Sequence, residues 1–267
     1  MAASAFRKRV PRFVFSVLAR VDGTFAEIDA FMREHQLDLF ETLQKVRRER
    51  VSLARFGDGE LRLAEHADST VAFQTGSPEL QSELRQILRG DGYEGVPLLI
   101  CIPGAKVPYF RQYWAKYWRS LRPLLNPAGI YGNSSVSREG LFRLDAEAGR
   151  LAWRAIWEGR DVCFVIGKGS RFDPIDALFD GVASQRTVYS LPRDAYADLP
   201  RLIAEIEASV PRDTLILASL GPAATVLAAR LARLGYWAID LGHISNTYRT
   251  VVDGAPPAEK TPLVTSR

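Results

Sequence analysis

"DTLILASLGPAATVLAARLARLGYWAIDLGH", residues 213–243, is the stretch whose reading decides the fold. It opens on a nearly continuous apolar run (213–221) and continues with helical spacing through "AATVLAARLARLG". It ends on a second apolar run, "WAIDLGH" (237–243). Apolar strands on either side of a helix imply parallel strands with both sheet faces covered. The same alternation extends outward. Strand-like runs stand at 51–56 (VSLARF), 96–103 (VPLLICIP), 161–167 (DVCFVIG) and 186–192 (RTVYSLP), with helical stretches between most of them. The expected fold is one α/β domain, Rossmann-like and doubly wound, with a mainly parallel sheet.

Bulk composition agrees with this. A chain of 267 residues that is 47% hydrophobic can bury a proper core. Cys101 and Cys163 sit in apolar stretches and read as reduced core thiols of a cytoplasmic protein. No apolar run is long enough to cross a bilayer, and no signal peptide is evident. The net charge of +4 is concentrated in residues 1–20, where Arg7, Lys8, Arg9, Arg12 and Arg20 meet no acid. Without them the remaining chain is slightly negative, so nucleic acid is not an expected partner. Val10, Phe13, Val14, Val17 and Leu18 form one helical stripe in the same segment. Such a helix either lies at the inner face of an anionic membrane or docks on its own domain. The domain reading is an N-terminal helical segment (1–50), including one long helical pattern over 25–50, then the α/β domain (51–250) and a disordered Pro-rich tail (251–267).

In doubly wound sheets ligands bind beyond the carboxyl ends of the strands. Four of those ends carry unusual residues: Arg55-Phe56-Gly57-Asp58-Gly59-Glu60, Gly167-Lys168-Gly169-Ser170-Arg171, Gly221-Pro222-Ala223 and Asp240-Leu241-Gly242-His243. Each has a plain structural reading. Asp-Gly is a common turn, Gly-Pro a common helix start, and His243 alone suits a core. Taken together they suit a diphosphate. Asp58 and Glu60 can face a hard divalent cation, and Gly57 and Gly59 permit close backbone approach. The helix start after Gly221 can receive an anionic oxygen, and Arg171 with Ser170 can clamp another. A dinucleotide fingerprint is not completed, because Phe172 stands where the third glycine belongs; a nicotinamide-dependent oxidoreductase is therefore the weaker alternative.

"RFGDGE", "YGNSSVSREG", "GKGSRF" and "SLGPAATVLAARLARLGYWAIDLGHI" resemble the glycosyltransferases of the GT-D fold over about residues 50–245. The resemblance implies transfer of a sugar from a UDP-sugar to a glycan or glycoconjugate, assisted by Mn2+ or Mg2+ held by D-x-E. Asp58 and Glu60 match that motif. Asn133, Ser137 and Arg138 match its N-x-x-x-[ST]-R segment. Gly167, Ser170 and Arg171 match G-x-x-S-R, and Gly221 and Pro222 match the G-P helix start. Arg55 and Ala223 flank these motifs and join the expected donor site. Asp58, Glu60, Asp240 and His243 are the expected catalytic residues. The family pattern after this block is acidic, of the form D-I-E-Y-E; here it reads "SNTYRT", with Ser245, Thr247 and Arg249 in place of acids. A protein that binds nucleotide-sugar without turnover remains the alternative.

Overall fold

A computed structural model describes residues 22–260; the basic stripe expected at residues 1–20 lies outside them. Helices α1 (Thr24–His35) and α2 (Leu39–Glu49) lead into β1 (Ser52–Arg55) and α3 (Asp58–Glu65). A small hairpin follows, β2 (Thr70–Val71) with β3 (Gln74–Thr75), then α4 (Pro78–Arg89), β4 (Leu98–Ile102) and α5 (Pro108–Leu121). Next come β5 (Gly132–Asn133), a 3-10 turn (Ser134–Ser137), α6 (Glu139–Leu144) and α7 (Ala146–Trp157). The C-terminal half holds β6 (Asp161–Gly167), α8 (Asp176–Phe179), β7 (Ser184–Ser190), α9 (Ala195–Ser209) and β8 (Leu215–Ser219). It closes with α10 (Pro222–Arg233), β9 (Ala238–Asp240), α11 (Ile244–Val252) and a 3-10 turn (Ala258–Lys260).

Among the described residues the main sheet has seven strands in the order β5-β4-β1-β9-β8-β6-β7, and every pair is parallel. The doubly wound expectation holds. Alternation along each strand divides the core in two. Ala54, Cys163, Val165, Ile216 and Ala218 face one layer with α1, α3, α4, α5, α9 and α10. Leu53, Val162, Phe164, Leu215 and Leu217 face the other, with α2, α6, α7, α8 and α11. The sheet reverses its order of winding between β1 and β9, whose register is Leu53 to Ile239. That seam is where a ligand crevice forms in such folds.

Two expectations change. The single long helix over 25–50 is two helices on opposite faces of the sheet. Gln36 bridges Tyr131 beside the edge strand β5, with Leu37 N–H donating to Tyr131 O at 2.9 Å. Asp38 then restarts the helix: its carboxylate accepts from Glu41 N–H at 2.7 Å, and Glu41 accepts from Asp38 N–H at 2.8 Å. This reciprocal pair satisfies two backbone donors that would otherwise be orphaned, and it outweighs continued helical periodicity. The tail expected to be disordered from 251 is structured as far as Lys260. Helix α11 runs to Val252, and Ala258 is buried.

Strand β5 was not anticipated, since two residues give no periodicity. Its Gly132 is required by space: a Cβ there would press on Cys101 Sγ and stand 2.8 Å from Thr42 Cγ2. Gly132→Ala is expected to destabilise the protein by about 1–3 kcal/mol through overpacking, measured as a lower urea midpoint with unchanged slope.

Candidate functional site

The carboxyl ends of β1 and β9 meet through a buried ion pair. Arg55 is 7% exposed and Asp240 2%. Arg55 Nε donates to Asp240 O at 3.0 Å and Nη1 to Ser134 O at 2.9 Å, while Nη2 stands 3.6 Å from Asp240 Oδ1. Asp240 Oδ1 accepts from Gly242 N–H at 2.9 Å, and Oδ2 from the Thr225 hydroxyl at 3.1 Å. Gly242 has φ +52°, and a Cβ there would collide with the Arg55 guanidinium. Only glycine lets the chain turn this closely past the arginine.

Above the pair lies a cavity of about 480 Å³. One wall is acidic. Gly57 caps α3, so Asp58-Gly59-Glu60 form the first turn of a helix and not an open loop. Glu60 Oε2 accepts from Gly57 N–H at 2.7 Å, which gives this carboxylate a helix-capping task of its own. Asp58 is exposed, and its Oδ2 accepts from the Tyr109 hydroxyl at 2.7 Å. Burial and the facing Asp240 carboxylate push Glu60 above the ordinary carboxylate range, against the pull of backbone N–H groups and Arg55. Burial likewise pushes Asp240 up, opposed by Arg55, Gly242 N–H, Thr225 and Arg138.

Arg138 and His243 also line the cavity, with Gly221 at the start of α10. Gly221 takes φ +57° and ψ −140° with open space where a Cβ would sit, so the backbone is bare toward the cavity. Burial, then the charges of Arg138, Arg55 and Arg171, lower the His243 pKa to about 3. Its imidazole is therefore neutral at physiological pH.

The fold agrees with what known proteins show. The family model for the glycosyltransferase GT-D fold matches residues 53–261. The chain belongs to that family of enzymes. Its relatives include the glycosyltransferase GlyD of Streptococcus pneumoniae, 30% identical over 84% of this chain, and the probable glycosyl transferase Gly of Streptococcus gordonii, 30% identical over 82%. The chain spans 29% and 33% of the length of those two relatives. Among solved structures, the domain of unknown function 1792, described as having a distinct glycosyltransferase fold, superposes with a TM-score of 0.77. It is 28% identical and covers 91% of this chain and 90% of its own. A glycosyltransferase of that domain family from Streptococcus sanguinis gives 0.75 at 26% identity, covering 87% and 89%.

In this GT-D chain the expected residues divide. Arg55, Gly57, Asp58, Glu60, Arg138, Gly221, Asp240 and His243 line the cavity. The others stand off it. Gly59 faces Val71 of the hairpin, and Asn133 caps the 3-10 turn through Ser135 N–H. Ser137 is fully buried, and Gly167 packs against Leu191 O. Ser170 accepts from Phe172 N–H, closing its own turn. Pro222 and Ala223 are buried at the start of α10. Arg171 donates to Ala258 O at 2.6 Å and lies over the Phe73 ring, so it fastens the C-terminal segment beside the cavity.

Of Ser245, Thr247 and Arg249, only Thr247 lines the cavity. Ser245 is buried, and Arg249 pairs with Asp173 at 2.8 Å. Sequence reasoning missed Ser134, Ser135, Glu139 and Thr247 as wall residues. Ser134, Ser135 and Glu139 stand within or beside "NSSVSR", whose spacing was the available signal.

The neutral His243 has a measurable consequence. The unfolded chain takes up a proton there near pH 6.5, whereas the native protein does so only near 3. Stability supplied by keeping the ring neutral is complete above pH 6.5 and is lost as pH falls toward 3. Glu60 and Asp240, both raised, act oppositely in the carboxylate range. Comparison with His243→Gln isolates the histidine: wild type should lose stability relative to the variant between pH 7 and 4, read by urea titration.

Proposed function

We propose that the chain is a metal-dependent glycosyltransferase that moves a sugar from a nucleotide-sugar, a UDP-sugar by family resemblance, to a glycan or glycoconjugate hydroxyl. The observation that carries this reading is one cavity lined by the Asp58 and Glu60 carboxylates, the Arg138 guanidinium, a neutral imidazole and a helix N-terminus. A sugar diphosphate with its counter-cation has the matching charge pattern.

Among the described residues no group of three or more His, Cys, Asp or Glu gathers into a metal-holding cluster. The donor set nevertheless fits a hard divalent cation, which takes one or two carboxylates and completes its shell with phosphate oxygens and water. Asp58 and Glu60 would hold it, and when bound it would supply charge neutralisation to a diphosphate leaving group. The chain's own residues account for the rest. Arg138 offers a planar fork to phosphate oxygens, and the backbone at Gly221 offers the positive end of α10. In the transfer, the bond from the anomeric carbon to the diphosphate oxygen breaks and a bond to the acceptor oxygen forms. The acceptor's proton leaves to a base. His243 is the neutral base at hand, and a bound diphosphate would offset the guanidinium charges that weaken it. Asp240 has both carboxylate oxygens engaged, so its part is to position Arg55 and the Gly242 turn.

Asp58→Asn and Glu60→Gln preserve the bonds to Tyr109 and Gly57 while each removes one charge. Both variants should lose metal-dependent release of UDP from UDP-sugars by on the order of 10²-fold or more, with thermal stability unchanged or raised. A variant that unfolds more easily yet turns over normally per folded molecule would make this turn structural. Thr247, at a position where the family carries an acid, favours the second reading, binding without turnover. That reading predicts UDP-dependent stabilisation in Mn2+ with no UDP released from any UDP-sugar.

Arg138→Lys should weaken UDP binding about ten- to hundredfold, the worth of a charge-assisted hydrogen bond. Arg171→Lys should weaken it less, because that guanidinium is engaged with Ala258. Calorimetry of the two variants with UDP and Mn2+ checks the order.

A further inference from the structure

Helix α5 is anchored by one face and decorated on another. Trp114, Ala115, Trp118 and Leu121 make its buried face, and both indoles donate to partners, Pro103 O and Glu27. Tyr113 and Tyr117 pack partly against the same core, and Tyr109 stands more open at the helix start. They recur every fourth residue, which aligns them in one stripe along the helix. Ring centroids lie 6.5 Å apart between Tyr109 and Tyr113, and 4.8 Å between Tyr113 and Tyr117. Tyr109 is 50% exposed; the other two are half-buried. Core packing accounts for part of Tyr113 and Tyr117; the alignment of all three rings, starting from an exposed Tyr109, goes beyond it.

The stripe begins at the candidate active site. Tyr109 and Phe110 line the cavity, and Tyr109 bonds Asp58. It continues along α3, where Tyr113 donates to Asp58 O at 3.3 Å and Ser120, one turn further, donates to Glu65. Lys116 sits 4.7 Å above the Tyr117 ring. The outcome is a row of aromatic rings that starts at the cavity, edged by carboxylates and hydroxyls, with the Lys116 ammonium over one face of the last ring.

We propose that this row is the track for a saccharide acceptor of at least two units, its reacting unit against Tyr109 and its succeeding units on Tyr113 and Tyr117. The proposal rests on the glycosyl-transfer reading and adds the class and minimum length of the acceptor. Pyranose rings present an apolar C–H face that lies flat on an aromatic ring, while their hydroxyls turn to polar neighbours at its edge. Each plate follows the last by four residues, about 6 Å of helix rise, on the scale of one hexose unit. Amphipathic aromatic rings with a polar tip suit a wet, hydroxyl-rich ligand better than an apolar one.

The test uses the full chain, an array of printed oligosaccharides of one to six units, and no donor. Wild type should retain glycans of two or more units, more strongly with length. Tyr117→Ala should lose roughly tenfold on trisaccharides and longer, with mono- and disaccharides unaffected, and Tyr117→Phe should restore most of that loss. UDP stabilisation in Mn2+, measured on the same variants, separates the two ideas. If UDP fails to stabilise wild type while length-dependent glycan retention persists, the donor reading falls and the track stands. Retention that is equal in wild type and Tyr117→Ala, independent of length, or absent in wild type overturns the track.

Discussion

The Arg55–Asp240 pair is the constraint on which the site depends. Taking both charges out of water costs several kcal/mol per ion, and the pair persists only because its remaining donors and acceptors are used. Arg55 reaches backbone carbonyls on β9 and on the 3-10 turn after β5. Asp240 takes the Gly242 N–H, and the single Thr225 hydroxyl proton is shared between Asp240 Oδ2 at 3.1 Å and Arg55 O at 2.8 Å. One ion pair thereby fixes the relative positions of β1, β9, α10 and the segment bearing Arg138. Removing either charge would leave the other buried and unpaired, a costlier state than never having had the pair.

That arrangement brings groups of both signs to one cavity. The acidic turn of α3 follows directly from β1, and His243 follows directly from β9, so neighbouring strand ends both reach it. Burial, and then the Asp240 charge, pushes Glu60 up; burial, and then three guanidiniums, drives His243 down. The C-terminal segment completes the enclosure, with Pro257 and Ala258 on the wall and Arg171 holding Ala258.

Much of this was legible in the chain before folding. Apolar runs such as "DVCFVIG" and "LILAS" are long enough and β-rich enough to be strands, and the helices between them force parallel pairing. Glycine, carboxylate and histidine at strand ends then pointed to the sheet edge where the cavity lies. The break at 36–38 was also written locally, as Asp38-x-x-Glu41, but the flanking helical periodicity masked it. Residues 1–20 lie outside the described residues, so their stripe stays an expectation of the sequence alone.

Which strand ends meet, and where each side chain points, belonged to tertiary structure. Sequence spacing grouped Arg138 with Ser137 and Arg171 with Ser170, yet only Arg138 lines the cavity, because Arg171 is drawn to Ala258 some 87 positions away. Along α5 the tryptophans are buried in the core, while Tyr109, Tyr113 and Tyr117 align in a stripe beside them. Periodicity fixes which residues share a face, since that follows from backbone geometry. What the face meets depends on contacts between distant segments, which the one-dimensional pattern does not hold.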